Sequence, residues 1–147
     1  IINLINLRKI FISSDHAGFE LKENIKNYLK KKKIDFKDIG PMNNKSVDYP
    51  DYAHKVAQRV KMNKKNVGIL VCGSGTGMNI AANKHKNIRA AQCFNLKSTK
   101  LSRLHNDANI ITLGSRLTTK KNALRFIDVF LSTEFEGGRH IKRIKKI

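Results

Sequence analysis

Cysteine is scarce in this chain of 147 residues: Cys72 and Cys93 are the only two. Two thiols cannot build a disulfide framework, and their spacing fits no zinc pattern, with no Cys/His cluster beside them. A chain of this length buries roughly two thirds of its unfolded surface without such staples, so reduced thiols in a cytoplasmic protein are the expectation. Also missing is any run approaching the roughly 20 apolar residues that a membrane span needs. The apolar opening IINLINLRKIFISS is interrupted by Asn3, Asn6, Arg8 and Lys9. It has neither a basic start nor a small-residue cleavage site, so neither an anchor nor a signal peptide is expected. No internal repeat, low-complexity tract or linker is present. That leaves a single α/β domain over residues 9–147, with residues 1–8 as an extension or the start of the first strand.

Acidic residues are few, 11 against 30 lysines and arginines, for a formal net charge of +19. Such an excess is the footprint of a polyanion-binding protein. Here the lysines are scattered through KNYLKKKK, VKMNKKN and ANKHKN, and no aromatic-interleaved basic stripe accompanies them. A solvated basic surface is therefore favoured over a nucleic-acid partner, with a basic nucleic-acid-binding module kept as the alternative. In either case a positive field speeds capture of a doubly charged phosphate.

What is present is an alternation of strand-like and helix-like segments. Lys9 to Ser14 is β-prone and ends in the polar SSDHAG. Leu21, Ile25, Tyr28 and Leu29 then fall on one helix face. Ile34 to Ile39 is a second strand, closed by Gly40-Pro41, and Tyr52, Val56, Ala57 and Val60 mark a second helix. Val67 to Cys72 is a continuous apolar run suited to a parallel strand covered on both faces. After it, GSGTG leads into a helix over MNIAANKH. Ile88 to Cys93 and Asn109 to Leu113 read as strands separated by a helix carrying Leu101 and Leu104. The last long helix has Ala123, Ile127, Phe130 and Leu131 on one side, and FEGGRH and a short basic segment close the chain. The pattern predicts a doubly wound, Rossmann-like, five-stranded parallel sheet with helices on both faces. Ligands of such sheets sit beyond the C-terminal strand ends.

The strongest local feature is Cys72-Gly73-Ser74-Gly75-Thr76-Gly77, between a buried strand and a helix. Its glycines let the backbone approach a ligand, and the free amides of the following helix point at the same place, a cradle for an oxyanion or phosphate. The Lys-Ser/Thr ending of a P-loop is absent and the dinucleotide fingerprint fails, so a purely structural turn remains open. Cys72 faces the start of that helix, where dipole and amides favour a thiolate; a buried structural cysteine is the competing reading. Cys93, without a glycine turn, reads as structural. Polar loops fall where strands end: Ser14-Asp15-His16 follows the first strand, Asp48-Tyr49-Pro50 lies in the loop after the second, His105-Asn106-Asp107 precedes the fifth and Gly114-Ser115-Arg116 follows it, several of them expected at one edge of the sheet. Arg139 and Arg143, four apart on one helix face with His140 between them, suit forked recognition of a phosphate. They also read as an unspecific basic tail.

Taken in order, SDHAGFELK, DYPDYA, GILVCGSGTGMNIAANK, IRAA, SRLHNDANI, LGSR and FEGGRH resemble the family of ribose-5-phosphate isomerase B and the galactose-6-phosphate isomerase subunits, over Ile10 to Arg143. The resemblance implies a cofactor-free, metal-free aldose–ketose isomerase of carbohydrate metabolism, with a sugar phosphate as its small-molecule partner. Ribose 5-phosphate to ribulose 5-phosphate is the implied reaction; a hexose 6-phosphate of the galactose or allose type is the alternative. Cys72 matches the base that moves a proton between C1 and C2, and Ser74 a hydroxyl that assists it. Some members use a glutamate where this chain has Met78. Gly73, Gly75, Thr76 and Gly77 match the anion hole, His105 the ring-opening histidine and Asn106 its substrate-contacting neighbour. Asp15, His16, Asp48 and Tyr49 match the sugar pocket, and Arg116, Arg139 and Arg143 the phosphate ligands, with His140 beside them. The C-terminal helical segment is implied to exchange between subunits of a homodimer, or a dimer of dimers, with a shared active site.

Overall fold

The strand NVGILVC lies at the centre of the sheet because all its residues but Asn66 are apolar or small enough to be covered on both sides, and all seven are buried, the Asn66 side-chain amide donating to the Arg59 carbonyl at 2.8 Å. The computed structural model describes Ile5 and residues 7–147; Ile1 to Leu4 and Asn6, on which part of the expected N-terminal extension falls, lie outside the described residues. The strands are β1 (Lys9–Ser14), β2 (Phe36–Gly40), β3 (Asn66–Cys72), β4 (Ala90–Gln92) and β5 (Ile110–Gly114). The helices are α1 (Phe19–Lys31), α2 (Tyr49–Val60), α3 (Thr76–Ala82), α4 (Leu96–Asn106), α5 (Lys120–Ser132) and α6 (Arg139–Ile144). All strand pairings are parallel, in the order β2-β1-β3-β5-β4. The expected five-stranded, doubly wound α/β sheet is what forms.

Strand alternation divides the core into two layers. Ile10, Ile12, Val67, Ile69, Val71, Ile111 and Leu113 face α1 and α5, meeting Leu21, Ile25, Leu29, Ile127 and Phe130. Phe11, Leu70, Cys72 and Ile110 face the other way, against Ala53, Val56, Ala57 and Val60 of α2 and Met78, Ala81 and Ala82 of α3. Ile25, Leu29 and Phe130 are fully buried, and each such side chain stabilises the fold by about 1.5–3 kcal/mol relative to exposure.

Differences from the sequence reading have simple causes. The second strand starts at Phe36 rather than Ile34, and the fourth shrinks to Ala90–Gln92. It lies at the sheet edge, pairing on one side with β5. Tyr28 is half-buried and its hydroxyl donates to Asp128 on α5 at 2.5 Å. On α4 the buried residues are the polar Thr99, Ser102 and Arg103, while Leu101 and Leu104 are half-buried. Arg103 is accommodated by bonds to the Thr133 and Ala108 carbonyls and to Asp107. Helix α4 is started by a capping box between Asn95 and Ser98. No described helix is long and apolar enough to cross a membrane.

Candidate active site

The sheet order reverses between β1 and β3, since the chain leaves β1 for β2 on one side and then returns to build β3, β5 and β4 on the other. Loops leaving adjacent strands part there and open a crevice. The crevice is a hollow of about 310 Å³ that brings together Asp15, His16, Tyr49, Cys72, Gly73, Ser74, Gly77 and Arg116 from four separate stretches of sequence.

Each loop is held by its neighbours. The Asp15 amide donates to the Val71 carbonyl at 3.1 Å, and its carboxylate accepts from Gly18 N at 2.9 Å. His16 Nδ1 accepts from the Val47 amide at 3.3 Å, which ties the loop after β1 to the loop that delivers Tyr49. After β5, Ser115 N donates to Cys72 O at 2.8 Å and Arg116 N to Gly73 O at 2.9 Å. These bonds align the glycine turn with the arginine loop.

Cys72 is buried at the end of β3, and the Gly75 amide donates to its sulfur at 3.1 Å. Gly75 has φ +79°, a conformation that costs glycine nothing. The Thr76 amide turns to Ser74 Oγ at 3.2 Å. Thus two of the amides expected to line an anion hole are directed at the turn's own sulfur and hydroxyl. Missing side chains make room elsewhere. A Cβ on Gly73 would stand 2.9 Å from Arg116 Nη1, and one on Gly77 would stand 2.6 Å from Tyr49 Cζ. Gln92, outside the expected site residues, braces the turn through Ser74 O at 2.7 Å and Thr76 Oγ1 at 3.0 Å. A glutamine at a strand end carries no sequence signal for this. Met78 is fully buried among the α2 side chains. Cys93 is also buried; burial pushes its thiol up, against hydrogen bonds from Thr99 and Ser102. Both cysteines are free.

Not every expected residue reaches this hollow. Asp48, the exposed N-cap of α2, lies outside the lining, and so do Gly75 and Thr76. His105, Asn106, His140 and Arg143 line a separate hollow of about 250 Å³. The grouping of His105-Asn106 with loops that leave strands is therefore corrected: α4 runs back across the sheet to feed β5, so its last residues emerge at the edge where strands begin. The next residue, Asp107, shares a cleft with Arg8 and Lys65, which precede β1 and β3. Arg139 is exposed at the start of α6.

In the second hollow the His105 and His140 rings stack with centroids 4.4 Å apart. Glu136, the acidic residue of FEGGRH, lies 3.8 Å from His105 Nε2 and 3.4 Å from His140 Nε2. Its amide is fixed on the Leu104 carbonyl at 3.1 Å.

Fold and site together define a doubly wound α/β protein with a cysteine, a glycine turn and an arginine converging at the switch point of its sheet. The model of the ribose/galactose isomerase family matches residues 10–147. The chain is 48% identical over 138 residues to a putative sugar phosphate isomerase of Rickettsia bellii, covering 94% of this chain and 96% of that protein. It superposes on a Thermotoga maritima ribose 5-phosphate isomerase at a TM-score of 0.92 with 52% identity, covering 95% and 96% of the two chains. For the Mycoplasma genitalium ribose-5-phosphate isomerase B, solved with bound ribulose-5-phosphate, the TM-score is 0.90, with 45% identity over 94% and 92%. The chain belongs to the ribose/galactose isomerase family.

Proposed function

We propose that this chain interconverts ribose 5-phosphate and ribulose 5-phosphate, with Cys72 as the proton-transfer base. The observation that carries the reading is the Gly75 amide aimed at Cys72 Sγ at 3.1 Å, at the wall of a hollow that also holds Tyr49 and Arg116. A hydrogen bond to sulfur is stronger when the sulfur is anionic. The bound ribulose-5-phosphate of the Mycoplasma relative supports the choice of sugar.

In this reading the thiolate takes the proton from C2 of the open-chain aldose and a cis-enediolate forms. The hydroxyl proton on O2 moves to O1 by way of Ser74 Oγ, and the thiol returns its proton to C1. Arg116 holds the phosphate, and Asp15, His16 and Tyr49, which line the same hollow, hold the sugar. Fixing the remote phosphate supplies positioning energy at the reacting carbons. Ring opening falls to His105, with Asn106 beside it, and Arg139 and Arg143 add to the phosphate grip next to His140.

Those last five residues stand away from Cys72 in the same chain. We therefore propose a homodimer, or a dimer of dimers, in which α6 and the end of α4 of one subunit complete the hollow of the other. The free, buried cysteines fit work in a reducing cytoplasm.

The test is a coupled assay over aldose phosphates. Ribose 5-phosphate is expected to turn over with the highest kcat/KM. Preference for galactose 6-phosphate or allose 6-phosphate would move the reading to the hexose branch. Turnover of none, together with salt-dependent nucleic-acid binding, would replace the isomerase with a basic binding module.

A further inference from the structure

We infer that a basic cleft at the edge of the sheet where strands begin binds the phosphate chain of a nucleoside polyphosphate or of inorganic polyphosphate. The cleft has a volume of about 700 Å³, against about 310 Å³ for the crevice at Cys72. None of the residues given a part in the proposed reaction lines it. Arg8, Lys61, Lys64, Lys65, Arg89 and Arg103 do, against the single carboxylate of Asp107. The fold produces this excess. All strands are parallel, so each helix that connects two of them runs back and ends at this edge. The lysine-rich stretches KNYLKKKK, VKMNKKN and ANKHKN lie at the ends of α1, α2 and α3 and gather along it. Cations at helix C-termini counter the helix dipole, and that accounts for exposed lysines. It does not account for the floor of the cleft.

There Arg8 Nη2 and Arg103 Nε donate to the same carbonyl, that of Thr133, at 3.3 and 3.1 Å. Arg103 is only 4% exposed and Arg8 is half-buried. Asp107 is shared by Arg103, at 2.8 Å, and Arg89, at 3.4 Å. Three guanidiniums thus meet one carboxylate, and charges withdrawn from water are costly without a counter-ion. Burial first, and then Arg103, hold the Arg8 guanidinium down at about 10, against the pull of Asp107 and Glu134. Arg8 Nε and Nη1, Arg89 Nη1 and Arg103 Nη2 make no hydrogen bond among the described residues. Guanidiniums with donors to spare suit forked contacts to phosphate oxygens, and the exposed Lys61, Lys64 and Lys65 add charge for further phosphates. The volume is that of a small-molecule pocket. No aromatic side chain lines the cleft to stack the bases of a nucleic-acid strand. Leu7 and Met62, both exposed, offer instead an apolar flank for one nucleoside.

Binding at this cleft does not depend on the proposed reaction, so failure of either leaves the other standing. The test is calorimetric titration of the full chain at low salt with magnesium-free ATP and, separately, with inorganic tripolyphosphate. One ligand per chain is expected for each, the two competing, with affinity falling as salt rises. Tighter binding of ATP assigns the site to a nucleoside polyphosphate, and equal affinity assigns it to the phosphate chain alone. Arg8→Gln should weaken binding about tenfold. Lys64→Glu combined with Lys65→Glu, at exposed positions that leave the fold undisturbed, should weaken it about tenfold as well. Arg116→Ala, in the crevice at Cys72, should change nothing, and ribose 5-phosphate should displace neither ligand. No binding of either polyanion, unchanged affinity in the double lysine variant, loss in Arg116→Ala, or displacement by ribose 5-phosphate would each overturn the site. Tighter binding of a single-stranded oligonucleotide, with several chains on one strand, would overturn it in favour of an extended nucleic-acid surface.

Discussion

The Arg116 guanidinium lies against the α-carbon of Gly73, close enough that a Cβ there would stand 2.9 Å from Nη1 and 3.1 Å from Cζ. The two are joined again through their backbones, Arg116 N to Gly73 O at 2.9 Å. A glycine in the turn thereby sets where the arginine's charge is presented. In Gly73→Ala the flexible arginine tip moves while the loop bond survives. KM for the sugar phosphate should rise about tenfold or more, as expected for a displaced charge-assisted contact, with kcat changed much less. Steady-state kinetics beside Arg116→Ala check this: a kcat loss without a KM change would dissociate the arginine from phosphate binding.

Replacing Cys72 with alanine should remove the proposed base and little else. Turnover is expected to fall by roughly 10²–10⁴-fold, while the melting temperature stays close to that of the parent chain. Full activity in the variant would refute Cys72 as the base.

Mixed subunits test the shared site. Cys72→Ala and His105→Ala chains, each inactive alone, should regain activity when unfolded together and refolded. A mixed dimer then holds one hollow with both residues intact. If each chain supplied its own histidine, mixing would restore nothing.

Lys22 is fully buried on α1, with Nζ 3.0 Å from Asp38 Oδ1 and bonded to the Pro41 carbonyl. It anchors the stretch of chain that leaves β2 towards Tyr49. Lys22→Met should destabilise the fold by about 3 kcal/mol, near the low end for a broken buried pair because Lys26 still reaches Asp38 at 2.7 Å. A urea midpoint unchanged from the parent would contradict this.

The His54–His85 pair should make stability fall in mild acid. Burial, then His54 and Lys61, lower the pKa of His85 from its ordinary 6.5. The unfolded chain consequently binds a proton near pH 6.5 that the folded chain takes only at lower pH. Stability is fully present above that pH and declines as pH drops towards the lowered value. Urea midpoints at successive pH values should show the decline, and His54→Asn, which removes the second cause but not burial, should lessen it. Asp38 acts lower down. Burial opposes its charge, yet hydrogen bonds from Lys26, the Gly40 amide and Lys22 hold its carboxyl below the usual value. Its contribution is present above about pH 4 and lost only as pH falls through that depressed value.

The run VGILVC, the glycine turn after it and the helix faces of Ile25, Val56 and Ile127 were legible in the sequence, because burial on a strand or helix imposes a period that neighbouring residues must obey. Such local rules determine the order of elements, the doubly wound sheet and the placing of Cys72 at a strand end. They say nothing about long-range partners. That His16 holds the Val47 amide, that Gln92 braces Ser74, and that Arg103 rather than Leu104 is buried on α4 depended on contacts between residues far apart in the chain. The direction of α4 across the sheet was decisive for the site. It carries His105 to the edge away from Cys72 and sets it beside Glu136 and His140, a separation that spacing along the chain does not encode and that packing alone decides.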